Sequence, residues 1–164
     1  MNLLGNIWQQ HSGAVRQFAL HLTGDRSDAD DLTSEAFVRL MTTSSPIRTE
    51  TVRGYLFVIV RNLHRRRHRD PGRFVELIEQ ATDAEGPDAQ VAHRQQAQRV
   101  RQALARLPDV DRAALLMRMD GELSYEDIGA ALNIASGAAR VRVHRARRKL
   151  LEQLQAEEHG VSRA

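Results

Sequence analysis

Basic side chains are concentrated in one short segment near the C-terminal end of the chain. From Ser136 to Leu151 there are five arginines, one lysine and no acidic residue. Guanidinium groups neutralise phosphates, and they can also read guanine edges, while an apolar side chain can contact a thymine methyl group. The residue types therefore predict DNA binding, and the candidate contacts are Arg140, Val141, Arg142, His144, Arg145 and Arg148.

The spacing of apolar residues indicates which element carries these side chains. Ser124 is a candidate N-cap for a short helix, and Asn133 and Gly137 are residue types that suit the turn after it. This predicts a helix-turn-helix whose second helix enters the major groove. The alternative is an ordinary helical hairpin with a solvated basic face, which is less favoured because cap, turn and charge agree. Four residues at helical spacing are predicted to face the core: Ala139, Val143, Ala146 and Leu150.

Composition narrows the class of protein. The 164 residues allow one domain or two small ones, and the absence of cysteine excludes a disulfide framework. The longest apolar run, Tyr55–Val60, is too short to cross a membrane, and the N-terminus lacks the pattern of a signal peptide. We therefore expect a cytoplasmic protein without membrane insertion. The short stretch after Leu154 argues against an extra sensory domain at that end.

No motif in the sequence predicts catalysis. There is no glycine-rich phosphate loop, nucleophile elbow or Ser/His/Asp pattern, so we expect a protein that is not an enzyme and uses no cofactor. His64 and His68 have a spacing that can bind zinc, but three arginines lie between them and would repel a cation. Three aspartates at 28, 30 and 31 are better explained by the start of a helix, where the dipole favours negative charge. No metal site is predicted.

Hydrophobic periodicity predicts an all-α protein with two small helical modules joined by a flexible linker. The first module, residues 1–70, holds helices over Leu3–Leu22, from the cap Ser27 to about Met41, and over Val52–Arg69. An acidic linker spans 71–94, the second module spans 95–155, and a short tail covers 156–164. In the second module Pro108 separates one helix from the next, which ends near Gly121. The sequence leaves open whether the modules are mobile or are packed together by their opposite charges.

Three segments resemble a known family. In order, DADDLTSEAFVRLM, RGYLFVIVRNLHRRRHR and ALARLPDVDRAALLMRMDGELSYEDIGAAL followed by HRARRKLL are similar to bacterial sigma factors of the extracytoplasmic function (ECF) group. The resemblance extends from about Asn6 to Leu154. It implies that the first module is sigma region 2 and the second is sigma region 4, in a factor that directs core RNA polymerase to promoters.

The resemblance also implies roles for individual residues. An acidic helix is expected to dock on the clamp helices of the large polymerase subunit, through Asp31, Leu32, Glu35, Phe37 and Arg39. A loop and a basic helix are expected to open the −10 element and hold its single strand, through Ser44, Ser45, Arg48, Tyr55, Arg61, Asn62, Arg65, Arg66 and Arg69. The DNA contacts of the helix-turn-helix are expected to read the −35 duplex. An anti-sigma factor is an expected partner, and we expect a monomer when free that associates with the nucleoid in the holoenzyme.

Several positions depart from the family pattern. Tyr55 stands where the family often has tryptophan, and Ser34 stands where glutamine is common. Ala138 and Val141 replace the usual threonine and serine in the reading helix, so the promoter sequence cannot be copied from relatives.

The sequence leaves two alternatives to a sigma factor. A helix-turn-helix regulator would bind duplex DNA without polymerase, but it would carry a sensor or dimerisation domain in place of the acidic and basic helices of the first module. A protein that only sequesters an anti-sigma factor would not need the basic reading helix.

Overall fold

The computed structural model describes residues 2–43, 51–67 and 88–161, and this part of the chain is built from α-helices without strands. The predicted all-α class is therefore confirmed. The helices are α1 (Leu3–Thr23), α2 (Arg26–Thr42), α3 (Val52–Arg67), α4 (Asp88–Ala105), α5 (Asp109–Gly121), α6 (Tyr125–Leu132) and α7 (Ser136–Val161).

Local capping sets the helix boundaries of the first module. Gly24 ends α1 in the left-handed region at φ 72°, which glycine adopts without a steric penalty. The Asp25 carboxylate then accepts a hydrogen bond from the Asp28 amide at 3.1 Å and caps α2. The prediction that Ser27 caps this helix was wrong, because Asp25 supplies an equally good acceptor directly after the turn.

The linker prediction differs from the structure at its C-terminal side. Helix α4 begins at Asp88, so it includes residues 88–94 of the predicted linker. The rest of the predicted linker, together with His68 and Arg69, lies outside the described residues.

The core of the first module lies between α1, α2 and α3. Phe18 and Phe57 stack with their ring centroids 4.3 Å apart, and both side chains are fully buried. Trp8 of α1 is 45% exposed, and its ring packs edge-to-face with Phe37, with the ring centroids 4.7 Å apart. It therefore lies at the border of the core rather than inside it.

Helix α5 is the central element of the second module. Its Leu115, Leu116 and Met117 side chains are fully buried, and α6 and α7 pack on it. On α7 the burial of Ala139, Val143, Ala146 and Leu150 confirms the face predicted from their spacing.

The two modules are packed together, which was one of the two arrangements that the sequence left open. Helix α5 lies against α1 and α3, and Gly121 contacts the Phe57 ring. One hydrogen bond and one ion pair cross the boundary: His21 Nδ1 lies 2.8 Å from the Asp120 carboxylate, and Arg61 donates to Asp109 at 3.0 Å. Apolar contact and opposite charge thus act at the same surface.

Arg53 adds a third link across this boundary. Its guanidinium donates to the His11 ring at 3.2 Å and to the Gly121 carbonyl at 3.4 Å. Burial, together with the nearby Arg53 charge, lowers the pKa of His11. His11 therefore favours the neutral form, which accepts the bond from Arg53.

In the described part of the chain, no helix is long and apolar enough to span a membrane.

Candidate nucleic-acid interface

The helix-turn-helix is formed by α6, the turn at Asn133 and α7. Ser124 caps α6, as predicted, by accepting a hydrogen bond from the Asp127 amide at 3.1 Å. Asn133 ends α6 in the left-handed region at φ 58°, a conformation that asparagine tolerates better than most residues. Helix α7 then starts at Ser136. Gly137, which was predicted to lie in the turn between the helices, is therefore in the first turn of α7.

Gly129 allows the two helices to approach each other closely, a role that the sequence reading did not identify. The Ile134 amide donates to the Gly129 carbonyl at 2.9 Å. A Cβ atom at Gly129 would lie 2.6 Å from the Ile134 carbonyl oxygen and 3.3 Å from the Ser136 nitrogen. Both are backbone atoms that cannot rotate away, so the turn requires glycine at this position.

We expect Gly129→Ala to destabilise the protein by about 1–3 kcal/mol, because the turn must move to admit the methyl group. The matched control is Gly137→Ala, since a Cβ there meets no atom within 4 Å. Removing glycine from a helix typically stabilises it, here by up to about 1 kcal/mol. Urea unfolding of the two variants measures the difference, and equal stabilities would contradict the assigned close approach.

The solvent-facing side of α7 carries the predicted reading residues. Val141 is 59% exposed, in the middle of the basic surface. The exposed basic residues around it are Arg140, His144, Arg145, Arg147, Arg148 and Lys149. Because the opposite side of the helix is buried in the module, this basic face is the one that α7 can present to a ligand.

Tyr125 organises one end of this face. The guanidinium carbons of Arg118 and Arg140 lie 4.7 and 5.1 Å from the centre of its ring. The His144 ring lies 6.4 Å from the same ring. The sequence reading missed Tyr125, although an aromatic residue at the start of α6, close to a basic helix, was a usable signal.

Arg142 and Arg145 differ from the other basic residues of α7 because both pair with a carboxylate of the same protein. Arg142 donates to the buried Asp111 carboxylate at 2.8 Å, and Arg145 reaches the same carboxylate at 3.4 Å. Arg142 is only partly exposed, whereas Arg145 is exposed. Asp111 and Arg142 are 31 residues apart in the sequence, so local sequence patterns could not indicate this contact.

The structure separates the residues predicted to act at the −10 element. Asn62, Arg65 and Arg66 are exposed on α3, and Tyr55 is partly buried. Arg61 is only 7% exposed, since α5 covers it and Asp109 pairs with it, so its contact with the −10 element stays a prediction that this packed arrangement does not allow. The remaining predicted residues lie outside the described part: Ser44, Ser45, Arg48 and Arg69.

The environment of Arg61 is unfavourable for a cation. Burial lowers the pKa of Arg61, while the Asp109 charge opposes that effect and Arg65 adds to it. Its Nε atom is buried and has no hydrogen-bond partner among the described residues. Burying a charge with incomplete hydrogen bonding costs free energy. The burial of Arg61 therefore weakens the contact between α3 and α5.

The predicted polymerase-binding residues are also divided between surface and core. Asp31 and Arg39 are exposed on α2. Leu32 and Phe37 were expected to contact a partner, but they are 0% and 3% exposed, because they face α1 and the module core. Glu35 is partly buried and pairs with Arg39 at 3.4 Å and with Arg67 of α3, so it joins two helices.

An apolar groove lies beside these residues, between the start of α1 and the end of α2. Its volume is about 410 Å³, and Phe37 contributes to its lining. Trp8, Val38 and Met41 line it and remain largely exposed to solvent. The sequence did not distinguish the exposed Val38 and Met41 from the buried apolar residues of α2, such as Phe37. Among the described residues, no group of three histidine or acidic side chains is placed to hold a metal ion.

Family models and known proteins resemble this chain over most of its length. Residues 7–74 match Sigma-70 region 2, and residues 97–150 match Sigma-70, region 4. The chain is 35% identical over 152 residues to ECF RNA polymerase sigma factor SigE of Mycolicibacterium smegmatis, covering 89% of this chain and 59% of that protein. It is 34% identical over 145 residues to ECF RNA polymerase sigma factor EcfG of Rhodopseudomonas palustris, covering 84% and 77%.

A solved structure shares the fold. The sigma factor RpoE of Bartonella quintana, crystallised in complex with the anti-sigma factor NepR, superposes with a TM-score of 0.66 at 23% identity. The match covers 92% of this chain and 96% of that chain. Together with the two matched regions, the likeness to SigE and EcfG shows that the chain belongs to the ECF group of RNA polymerase sigma factors.

Proposed function

We propose that this protein brings core RNA polymerase to a set of promoters, with α7 reading the −35 duplex and the region around α3 holding the opened −10 element. The observation that carries the proposal is the basic, solvent-facing side of α7, which is held in a helix-turn-helix by a buried apolar side. A regulator that binds duplex DNA without polymerase would use the same α7. It would have no use for the exposed Arg65 and Arg66 of α3 beside an acidic docking helix.

At the −35 element, the N-terminal half of α7 approaches the base edges, as the second helix of a helix-turn-helix does. Arg140 and Arg148 supply charge for phosphates or guanine edges. Val141 supplies an exposed apolar side chain for a thymine methyl group, and His144 lies one turn further along the helix. The turn at Asn133 fixes the angle at which this face meets DNA.

For polymerase docking, the exposed side of α2 combines charge with apolar area. Asp31 offers a carboxylate to a basic partner, and Arg39 lies further along the helix. Val38 and Met41, which are 50% and 51% exposed, offer the apolar contact that had been assigned to Leu32 and Phe37. Interfaces commonly combine an apolar centre with a polar rim, and this surface has both.

Asp31→Lys is expected to weaken binding of core polymerase by at least about tenfold, because a lysine would face a basic partner surface. Glu35 is a poorer test residue, since its reversal would also break the pairs with Arg39 and Arg67. Glu152→Lys, an exposed reversal on α7 away from α2, is the control. Titration of labelled core polymerase measures both affinities, and equal affinities would remove Asp31 from the docking surface.

At the −10 element, Arg61 needs access that the packed arrangement denies. Helix α5 covers Arg61, so its side chain can reach a DNA strand only when the two modules separate. Asn62, Arg65 and Arg66 are already exposed and can follow a single-stranded backbone. We therefore assign the packed arrangement to the free protein and a separated one to the promoter complex.

An anti-sigma factor belongs to the proposal as a partner. The likeness to RpoE in complex with NepR supports a fold that accepts such a partner. The groove beside Trp8 and Met41 is an exposed apolar surface that a partner of this class would cover in the resting cell.

The test of the proposed function is run-off transcription with purified core RNA polymerase on a library of genomic promoter fragments, with and without the protein. Transcripts that depend on the protein are expected, and their start sites give both promoter elements. Binding of duplex DNA without any dependent transcript would favour the regulator instead. Absence of both activities would overturn the assignment of α7 as a reading helix.

A further inference from the structure

Asp111 is a buried carboxylate whose partners both belong to the reading helix. It lies in the first turn of α5, and its side chain is 2% exposed. Its Oδ1 accepts from Arg142 at 2.8 Å and from Arg145 at 3.4 Å, while its Oδ2 lies 3.4 Å from Arg145 Nε. No resemblance assigned a role to this residue.

The geometry leaves Arg145 with one edge free. A guanidinium carries five N–H donors in a rigid plane, and Asp111 takes the edge formed by Nε and one terminal nitrogen. The other terminal nitrogen belongs to a side chain that is 43% exposed. The carboxylate therefore fixes the plane of the guanidinium while leaving donors available for DNA. Because a buried carboxylate without partners is costly, these contacts restrain the orientation of Arg145.

The neighbouring basic residues have no such restraint. Arg140 contacts the Tyr125 ring, and Arg148 makes no ion pair with any described residue. The reading helix therefore carries two classes of arginine, one orientated by a buried acid and one held only by packing or solvent.

We propose that Asp111 is a positioning residue for promoter recognition, which aligns Arg142 and Arg145 so that they contact DNA in a single geometry. It also cancels part of their charge, so the face binds unrelated DNA less strongly than its arginine content suggests. The inference rests on the proposed function, because it concerns how that same α7 face discriminates between sequences.

Asp111→Asn tests the role, because asparagine has the same shape without the charge. Arg142 and Arg145 are then free to adopt more rotamers, and the net charge of the basic face rises by one. Holoenzyme carrying the variant is expected to bind its promoter more weakly and a fragment with a scrambled −35 element more tightly. The ratio of the two affinities should fall about five- to tenfold, the range expected when one well-orientated contact is lost.

Tighter binding to the scrambled fragment distinguishes the loss of a positioning residue from a general destabilisation of the second module. A loosened second module would lose affinity for both fragments alike. Asp109→Asn is the matched control, since Asp109 lies on the same helix but pairs with Arg61 and Arg112 rather than with α7. The control should leave the ratio unchanged.

A second variant keeps the test decisive if Asp111→Asn fails to fold. Arg145→Lys preserves the charge but replaces the planar guanidinium with a freely rotating ammonium group, whose donors Asp111 cannot hold in one plane. It is expected to lower the affinity ratio with little change in the salt dependence of binding. An unchanged ratio in a folded variant, with promoter-specific transcription by the wild-type holoenzyme, would overturn the role of Asp111 alone. Absence of promoter-specific transcription by the wild type would overturn the proposed function.

Discussion

Replacing Gly121 by leucine is expected to separate the two modules of the free protein. A Cβ atom at this position would lie 2.6 Å from the Phe57 ring, well inside van der Waals contact. The ring cannot retreat easily, because Phe57 is fully buried and stacks on Phe18. Gly121 is not among the residues with positive φ, so the effect comes from crowding alone. We expect a loss of about 1–3 kcal/mol at this contact, which is enough to open a marginal interface.

The chain is well suited to measuring this separation, because it contains no cysteine. One cysteine introduced on α1 and one on α7 give a unique pair of dye positions. Energy transfer between the dyes should fall in the leucine variant and stay unchanged in Gly13→Leu, where a Cβ meets no atom within 4 Å. Unchanged transfer in Gly121→Leu would show that α5 does not lie against α3 in solution.

A milder variant covers the case in which Gly121→Leu unfolds the protein. Asp120→Asn removes the charge that pairs with His21 at 2.8 Å but leaves the packing around Phe57 intact. Energy transfer should then fall partially. Either variant is expected to expose Arg61 and so to increase binding of single-stranded DNA by the free protein.

The combined change of Arg140 and Arg148 to alanine is expected to remove most of the −35 affinity. Both side chains lie on the solvent-facing side of α7, and neither forms an ion pair within the described part of the chain. Each phosphate contact that is lost lowers the slope of log affinity against log salt by about one. The double variant should therefore show a slope smaller by about two.

The comparison is made with holoenzyme on the promoter fragment at several salt concentrations. Arg106→Ala is the control, because Arg106 is exposed but lies in the turn after α4 and pairs with Glu157. It should change neither the affinity nor the salt slope. A double variant with the wild-type slope would mean that α7 does not carry the phosphate contacts.

Features that depend on local sequence were predictable. The buried side of α7 follows from helical periodicity, and the cap at Ser124 follows from a side chain that bonds an amide three residues away. Helix α1 likewise ends at Thr23, one residue after the predicted Leu22. In each case the determining contacts lie within a few residues of chain, so the pattern contains the information.

Features that depend on contacts between distant segments were not predictable in the same way. The family motif in α2 marked Leu32 and Phe37 as important, but it did not show that they face inward. Arg61 is buried because α5 packs against α3. The length of the segment between these two helices does not determine where α5 packs. Asp111 likewise contacts Arg142 and Arg145, which are separated from it in the sequence by α6 and the turn.

Packing α5 against both α1 and α3 joins the buried residues of the two modules into a single cluster that includes Phe18, Phe57, Leu115 and Val143. Cooperative unfolding requires that loss of one part removes the support of the other, and a shared core provides that coupling. The free protein is therefore expected to melt in one calorimetric transition. Two separate peaks would appear only once the modules have been driven apart, so the heat-capacity profile reports which arrangement the chain adopts.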